Sequence, residues 1–225
     1  MQNEIAMTVK EAVAFVGGFS APSKMPCQGF SIPAWLCKTG AKLRNVSGSI
    51  CSKCYALKGN YSYPVVKNAL TRRFDKISDP LWVSAMTIAI NGTESSGYFR
   101  MFDSGDIQSL EMLENIAQIA KNLPNIKFWL PTREYSIVSS YIKKNGAFPE
   151  NLIVRLSAYM LEGKPPIELA KRSGIETTLG DYMERKMATI RKIDNILPIE
   201  GADLIHAVKI GGWTVVAQKS MNPIS

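Results

Sequence analysis

The sequence predicts an α/β protein: a partial (β/α) barrel or open parallel sheet, preceded by an irregular cysteine-bearing wrap. Three observations predict it. Strand-like and helix-like patterns alternate from Tyr98 to Tyr159. All four cysteines fall between Met25 and Tyr61, in a stretch punctuated by Pro26, Gly29, Pro33, Gly40 and Gly48. The chain of 225 residues, 46% of them hydrophobic, is long enough to bury one substantial core. Residues 1–225 therefore read as a single domain. Within it, 25–61 is the cysteine-bearing segment, 98–160 the parallel β/α core and 200–225 a tail.

The chain opens with an apolar patch, Ala12 to Val16, closed by Gly17-Gly18, which suits a strand or a helical turn equally. The Pro and Gly residues of the cysteine segment favour turns, so the cysteines are expected on an irregular wrap and not on one helix. Pro64 suits a first helical position, and Val65, Ala69 and Leu70 share a face in a helix running through Arg72-Arg73. A second helix is expected from Asp79 to about Ala89. Tyr98 to Phe102 reads as a strand; Leu110, Leu113, Ile116, Ala117 and Ala120 then keep helical spacing up to Asn122. Ile126 to Leu130 is the next strand, Ser136 to Lys144 a helix capped by Gly146, and Leu152 to Leu156 a third strand. Strands at such spacing, joined by helices, are parallel with right-handed crossovers. Residues 165–195 are expected to be helical and basic, and Leu204–Val208 with Trp213–Val216 around Gly211-Gly212 give a hairpin signal. His206, the single histidine, suits a strand position better than a ligand's.

Chemistry that needs soft ligands must start at Cys27, Cys37, Cys51 and Cys54. Thiolates are preferred by zinc and by iron–sulfur clusters, and the Cys51-Ser-Lys-Cys54 pair can face one centre from a single turn. Ordinary buried thiols are one alternative. Disulfides are another, disfavoured where no secretory segment directs the chain to an oxidising compartment. Zinc held only by sulfur usually takes two C-x2-C pairs, and the gaps flanking Cys37 lack a second one. A [4Fe–4S] cluster is the better fit, with zinc as the alternative metal.

Parallel strands deliver their carboxyl ends to one side of a sheet, where ligands bind in open α/β folds and barrels. Here those ends carry Asp103, Ser104, Gly105 and Asp106, then Thr132, Arg133 and Glu134, then Arg155 and Ser157. Asp and Ser at such places also cap helices. Charged residues at three consecutive strand ends point more to a site, because burying them is costly unless they are matched.

Lys and Arg number 27 against 19 Asp and Glu, a formal charge of +8. That balance is compatible with a nucleic-acid, nucleotide or phosphate partner, though no Lys/Arg run of five or more marks one. The first twenty residues, with Glu4, Lys10 and Glu11, do not resemble a signal peptide, and no eighteen-residue apolar run exists to span a membrane. A cytoplasmic protein is expected, with no membrane partner.

The runs IPAWLCKTGAKLRNVSGSICSKCYALKGNY, YFRMFDSGDIQS, FWLPTREYSIV and FPENLIVRLSAYM occur in that order. Together they resemble the phage "gene product 88" family over about residues 22–160. Members look distantly like radical S-adenosylmethionine enzymes, with a cysteine-bound cluster beside a partial (β/α) barrel. The resemblance implies Cys37, Cys51 and Cys54 as cluster ligands and Cys27 as a fourth candidate. It also implies Ser104-Gly105-Asp106 in the place of the loop that holds the amino group of S-adenosylmethionine. Thr132, Arg133, Glu134, Arg155 and Ser157 would line the same cavity. An enzyme acting on a nucleotide or nucleic acid in the host cytoplasm is the implied function; a non-catalytic binding protein stapled by iron–sulfur or zinc is the alternative. Two features depart from the pattern. The C-x3-C-x2-C loop of radical enzymes is absent, and no cysteine follows Cys54, where members tend to carry a second cysteine-rich segment.

Overall fold

A computed structural model describes residues 7–22, 25–161, 166–173, 175–178, 205–210 and 213–218. Helix α1 is Val9–Phe15, so the apolar patch is helical; Thr8 caps it, with Thr8 and Glu11 exchanging side-chain bonds to each other's backbone. The cysteine segment has no long helix. It runs through the two-residue strand β1 (Gly29–Phe30), a 3-10 turn at Ala34–Leu36, the short helix α2 (Lys38–Leu43) and three more 3-10 turns between Ile50 and Ser62. Helix α3 (Pro64–Lys76) follows, with Pro64 in its first turn as expected.

Helix α4 is Trp82–Thr93, shifted toward the C-terminus relative to the expectation. Asp79 holds a turn, its carboxylate accepting from Leu81 N at 3.0 Å, so the helix starts after Leu81. It continues past Ala89 because Gly92 lies against α1: a Cβ there would stand 2.5 Å from Val9 Cγ2.

Five strands form one parallel sheet in chain order: β1, β2 (Tyr98–Met101), β3 (Lys127–Thr132), β4 (Leu152–Ser157) and β5 (Glu176–Thr178). Helices α5 (Leu110–Asn122), α6 (Tyr135–Asn145) and α7 (Ile167–Ser173) are the crossovers between β2 and β5. Right-handed crossovers that always step the same way keep their helices on one face, as in a segment of a barrel. Residues 165–195 are thus not helical throughout. Ile167–Ser173 is helical as expected, but Glu176–Thr178 is extended because the open edge of β4 offers it a ladder, Arg155 opposite Glu176; residues 179–195 lie outside the described residues. In β3 the strand runs on through Pro131 and Thr132; Pro131 lies beyond the last pair with β2, Arg100 opposite Trp129. Strands β6 (Ile205–Ile210) and β7 (Trp213–Gln218) make the expected antiparallel hairpin, His206 opposite Ala217.

The core lies between the sheet and its helices. Phe99, Phe128, Leu130, Val154 and Leu156 meet Trp82, Met86 and Ile90 of α4 and Leu113, Ile116 and Ala117 of α5, all buried. Burial of each such Phe, Leu, Ile, Val or Met side chain contributes about 1.5–3 kcal/mol. The opposite face is different: the Arg100 guanidinium sits 4.6 Å from the Trp129 ring centroid and that of Arg155 5.9 Å from it. No described helix is long and apolar enough to cross a membrane.

Candidate functional site

The wrap is fastened across the carboxyl ends of the strands. Tyr55 donates to the Asp103 carbonyl and Tyr61 to the Asp103 carboxylate. Thr39 N and Oγ1 each donate to the Glu134 carboxylate at 2.8 Å. Lys38 Nζ donates to Gln108 O at 2.6 Å, and Ile50 N to Tyr159 O at 3.0 Å. These bonds join residues 38–61 to loops following β2, β3 and β4.

Beneath the wrap is a cavity of about 90 Å³, several times the ~10–15 Å³ that one water needs. Cys37, Cys51 and Cys54 line it. Cys37 ends one 3-10 turn and begins α2. Cys51 and Cys54 share the next turn, where Ser49 Oγ accepts from Ser52 N at 3.0 Å and Cys54 N donates to Cys51 O at 3.3 Å. Gly40 makes the convergence possible. A Cβ at Gly40 would lie 2.8 Å from Cys37 Cβ, 3.7 Å from Cys37 Sγ and 3.8 Å from Cys51 Sγ, inside the space the thiols face. None of the four cysteines is in a disulfide.

Cys27 lies apart. It is buried ahead of β1, does not line the cavity, and has Glu94 and Arg100 as its charged neighbours. Burial raises its thiol pKa, and Glu94 raises it further. Cys37 and Cys51 are also raised, first by burial; Asp106 and the neighbouring thiols add to it at both, while Arg133 and Arg44 oppose it at Cys51. A cation bound by Cys37 and Cys51 would therefore have to displace their protons. Among the described residues, no three His, Cys, Asp or Glu side chains gather tightly enough to hold one metal ion.

The strand ends complete the cavity. Ser104, Gly105, Asp106, Arg133 and Ser157 line it, as do Asp103, Arg100 and Arg44. Phe102, at φ 60°, is a left-handed non-glycine residue that ends β2 and turns the chain into this loop. Ser104 Oγ donates to Ile32 O at 3.0 Å, and Gly105 passes so close to Ile32 that a Cβ would stand 2.2 Å from Ile32 Cγ1. Asp106 Oδ1 accepts from Ile107 N at 2.8 Å and Thr132 Oγ1 at 2.6 Å, and its Oδ2 from Arg133 N at 2.9 Å. Desolvation pushes its carboxyl up to about 6, against those three bonds. Ser104 and Asp106 are not caps; Ser109 caps α5, accepting from Met112 N at 3.1 Å.

The other expected residues stand behind the wall. Thr132 is buried and spends its hydroxyl on Asp106. Glu134 is buried and turned to Thr39, serving to anchor the wrap. Arg155 is buried over Trp129 and does not line the cavity. Arg44, Arg100, Tyr55 and Tyr61 went unnoticed in the sequence. Arg100, a charge in the middle of a four-residue strand, was the available signal; it pairs with Asp103 at 3.0 Å.

Neither a curated protein nor a solved structure matches the chain. A family match covers residues 3–189, which hold the cysteine wrap, the strands β1 to β5 and the whole cavity. The protein belongs to the phage family described as Gene product 88.

Proposed function

We propose that the cavity holds an iron–sulfur cluster on Cys37, Cys51 and Cys54, and that the protein is an enzyme acting on a nucleotide or nucleic acid during phage infection. The observation that carries this reading is the meeting of three thiols, from separate parts of the wrap, at the carboxyl edge of a parallel sheet. The thiolates of a [4Fe–4S] cluster each bind a different iron, which suits three cysteines placed around one cavity wall. With Cys27 apart, Cys37, Cys51 and Cys54 would hold the cluster and leave one iron without a cysteine; such a centre would supply an exchangeable coordination position and an electron.

The chain's own residues would do the rest. Gly40 leaves the space between Cys37 and Cys51 open. Asp106, with Oδ2 holding only one protein bond, can accept one more from an amino group; S-adenosylmethionine is the candidate that a radical-enzyme likeness suggests. Arg44 and Arg133 bring positive charge to an anionic substrate in the same cavity. Hydrogen bonds at Lys38, Thr39, Gly48, Ile50, Tyr55 and Tyr61 also tie the wrap to the strand-end loops, so the sheet does not need a metal to hold it together.

The test is the iron and sulfide content and visible spectrum of anaerobically purified protein, with and without S-adenosylmethionine. Replacing Cys37, Cys51 or Cys54 by Ala should abolish the chromophore, and Cys27→Ala should retain most of the iron. Iron lost in Cys27→Ala, with no spectral change on adding S-adenosylmethionine, would sink the open-iron reading. Iron-free protein binding stoichiometric zinc would favour the staple.

A further inference from the structure

The chain's positive charge is concentrated in one place. Residues 12–74 contain nine of the 27 Lys and Arg and none of the 19 Asp and Glu. The other 162 residues hold 18 basic against 19 acidic side chains, so the entire excess lies on the wrap and its flanks. No single run of basic residues reveals it, because the cations are spaced out; the missing carboxylates do.

Of the described basic residues there, only Arg73 is buried, bonded to Gly17 O, Gly18 O and Ser20 Oγ. Lys38, Lys42, Lys53, Lys58, Lys67 and Arg72 are exposed, and none makes an ion pair with a described residue. Large rings are exposed among them: Trp35 at 37%, Tyr55 at 39% and Tyr63 at 58%. Tyr55 also forms part of the cavity rim. The inner side of this segment is committed to the sheet through Lys38, Thr39, Ile50 and Tyr61, and Tyr55 reaches in from the cavity rim, while Lys42, Lys53, Lys58, Lys67, Arg72, Trp35 and Tyr63 stay exposed.

We infer that the outer surface of the wrap is a docking track for single-stranded nucleic acid, leading a base toward the cavity. Cations that neutralise no carboxylate of their own are free to release counterions from a phosphate backbone. Exposed rings between them offer stacking to any base, the combination used to hold single strands. An acidic protein or an anionic membrane would satisfy the cations and not the rings. A duplex would keep its bases stacked on each other and out of reach of both rings and cavity. The inference rests on reading the cavity as a substrate site and names what that substrate belongs to.

The experiment is fluorescence anisotropy on the full chain with labelled single-stranded DNA and RNA of about 20 nucleotides, longer than one ~4–16-nucleotide site. The same strands in duplex form and vesicles containing anionic lipid are the comparison ligands. Single strands should bind best, with an affinity that falls as salt rises by roughly 0.7 log units per log unit for each phosphate contacted. The DNA and RNA arms decide which sugar is preferred. Trp35→Ala and Tyr63→Ala, at exposed positions, should each weaken binding roughly fivefold or more and leave the salt slope unchanged. Lys53→Glu with Lys58→Glu should lower the slope. Melting temperatures equal to the parent's establish that the variants fold. Duplex or vesicle binding as tight as single-strand binding, or ring variants without effect, overturns the inference. So does the absence of single-strand binding at about 50 mM salt. Iron content measured on the same samples separates the two readings. Binding without iron leaves the track standing and removes the cluster; iron without binding does the reverse.

Discussion

Gly105 is the residue on which the cavity's geometry turns. Its φ is +86°, and the place of a Cβ is taken by Ile32, with the side chain at 2.2 Å and the carbonyl at 2.8 Å. Gly105→Ala should cost at least ~2 kcal/mol in urea unfolding, since strain and overpacking act together. Asp106 makes a different prediction. Its folded pKa, about 6, is above the ordinary aspartate value, so its protonated form is the one that favours folding. That contribution is full below about pH 4 and is lost as pH rises through about 6, on the order of 1–3 kcal/mol. Asp106→Asn sets an amide N–H against a backbone N–H of Ile107 or Arg133 and should be less stable throughout. The stability gap between parent and variant, measured in the metal-free protein, should narrow from pH 4 to pH 7. A gap that widens over that range would show the carboxylate to be the favoured form.

At the scale of elements, the wrap depends on a few long-range hydrogen bonds more than on its own secondary structure. Its helices and 3-10 turns are three to six residues long, too short to persist alone. Tyr61 is half-buried, its hydroxyl on the Asp103 carboxylate, and burial with that bond raises its pKa above the ordinary tyrosine range. Tyr61→Phe should cost about 1–2 kcal/mol and speed hydrogen exchange of residues 50–63 while sparing β3 and α5. Equal acceleration in β3 would mean that wrap and sheet unfold as one unit. Gly40→Ala probes the cavity side of the same element. It should lower the iron content expected of the proposed cluster with little change in the stability of the sheet, because the added methyl enters the space between Cys37 and Cys51.

For the whole molecule, the sheet and its helices hold the core and the wrap holds the thiols. Phe99, Phe128, Trp82 and Leu113 are buried without any contribution from Cys37, Cys51 or Cys54. Removing the proposed cluster by oxidation and chelation should therefore leave the far-ultraviolet spectrum nearly intact. Protease cleavage should then concentrate between residues 37 and 63. Global unfolding on metal loss would instead place the cluster in the folding core.

Local rules made much of this legible in the chain. The alternation from Tyr98 to Ser157, Pro64 in the first turn of α3, Gly146 ending α6 and the hairpin around Gly211-Gly212 follow from side-chain period and turn chemistry, which act over a few residues. The candidate cysteines and the loop Ser104-Gly105-Asp106 were legible as residue types. Their partners were not, because partnership is set by how distant segments meet. Glu134 looks like a site residue until Thr39, ninety-five positions away, is seen to occupy it. Cys27 looks equivalent to its three companions until the chain buries it just ahead of β1, outside the cavity lining. Residues 176–178 sit in a helix-like stretch, and only the free edge of β4 makes them a strand. Period and propensity are written along the chain; burial, and the pairing that burial demands, exist only once the chain has closed on itself.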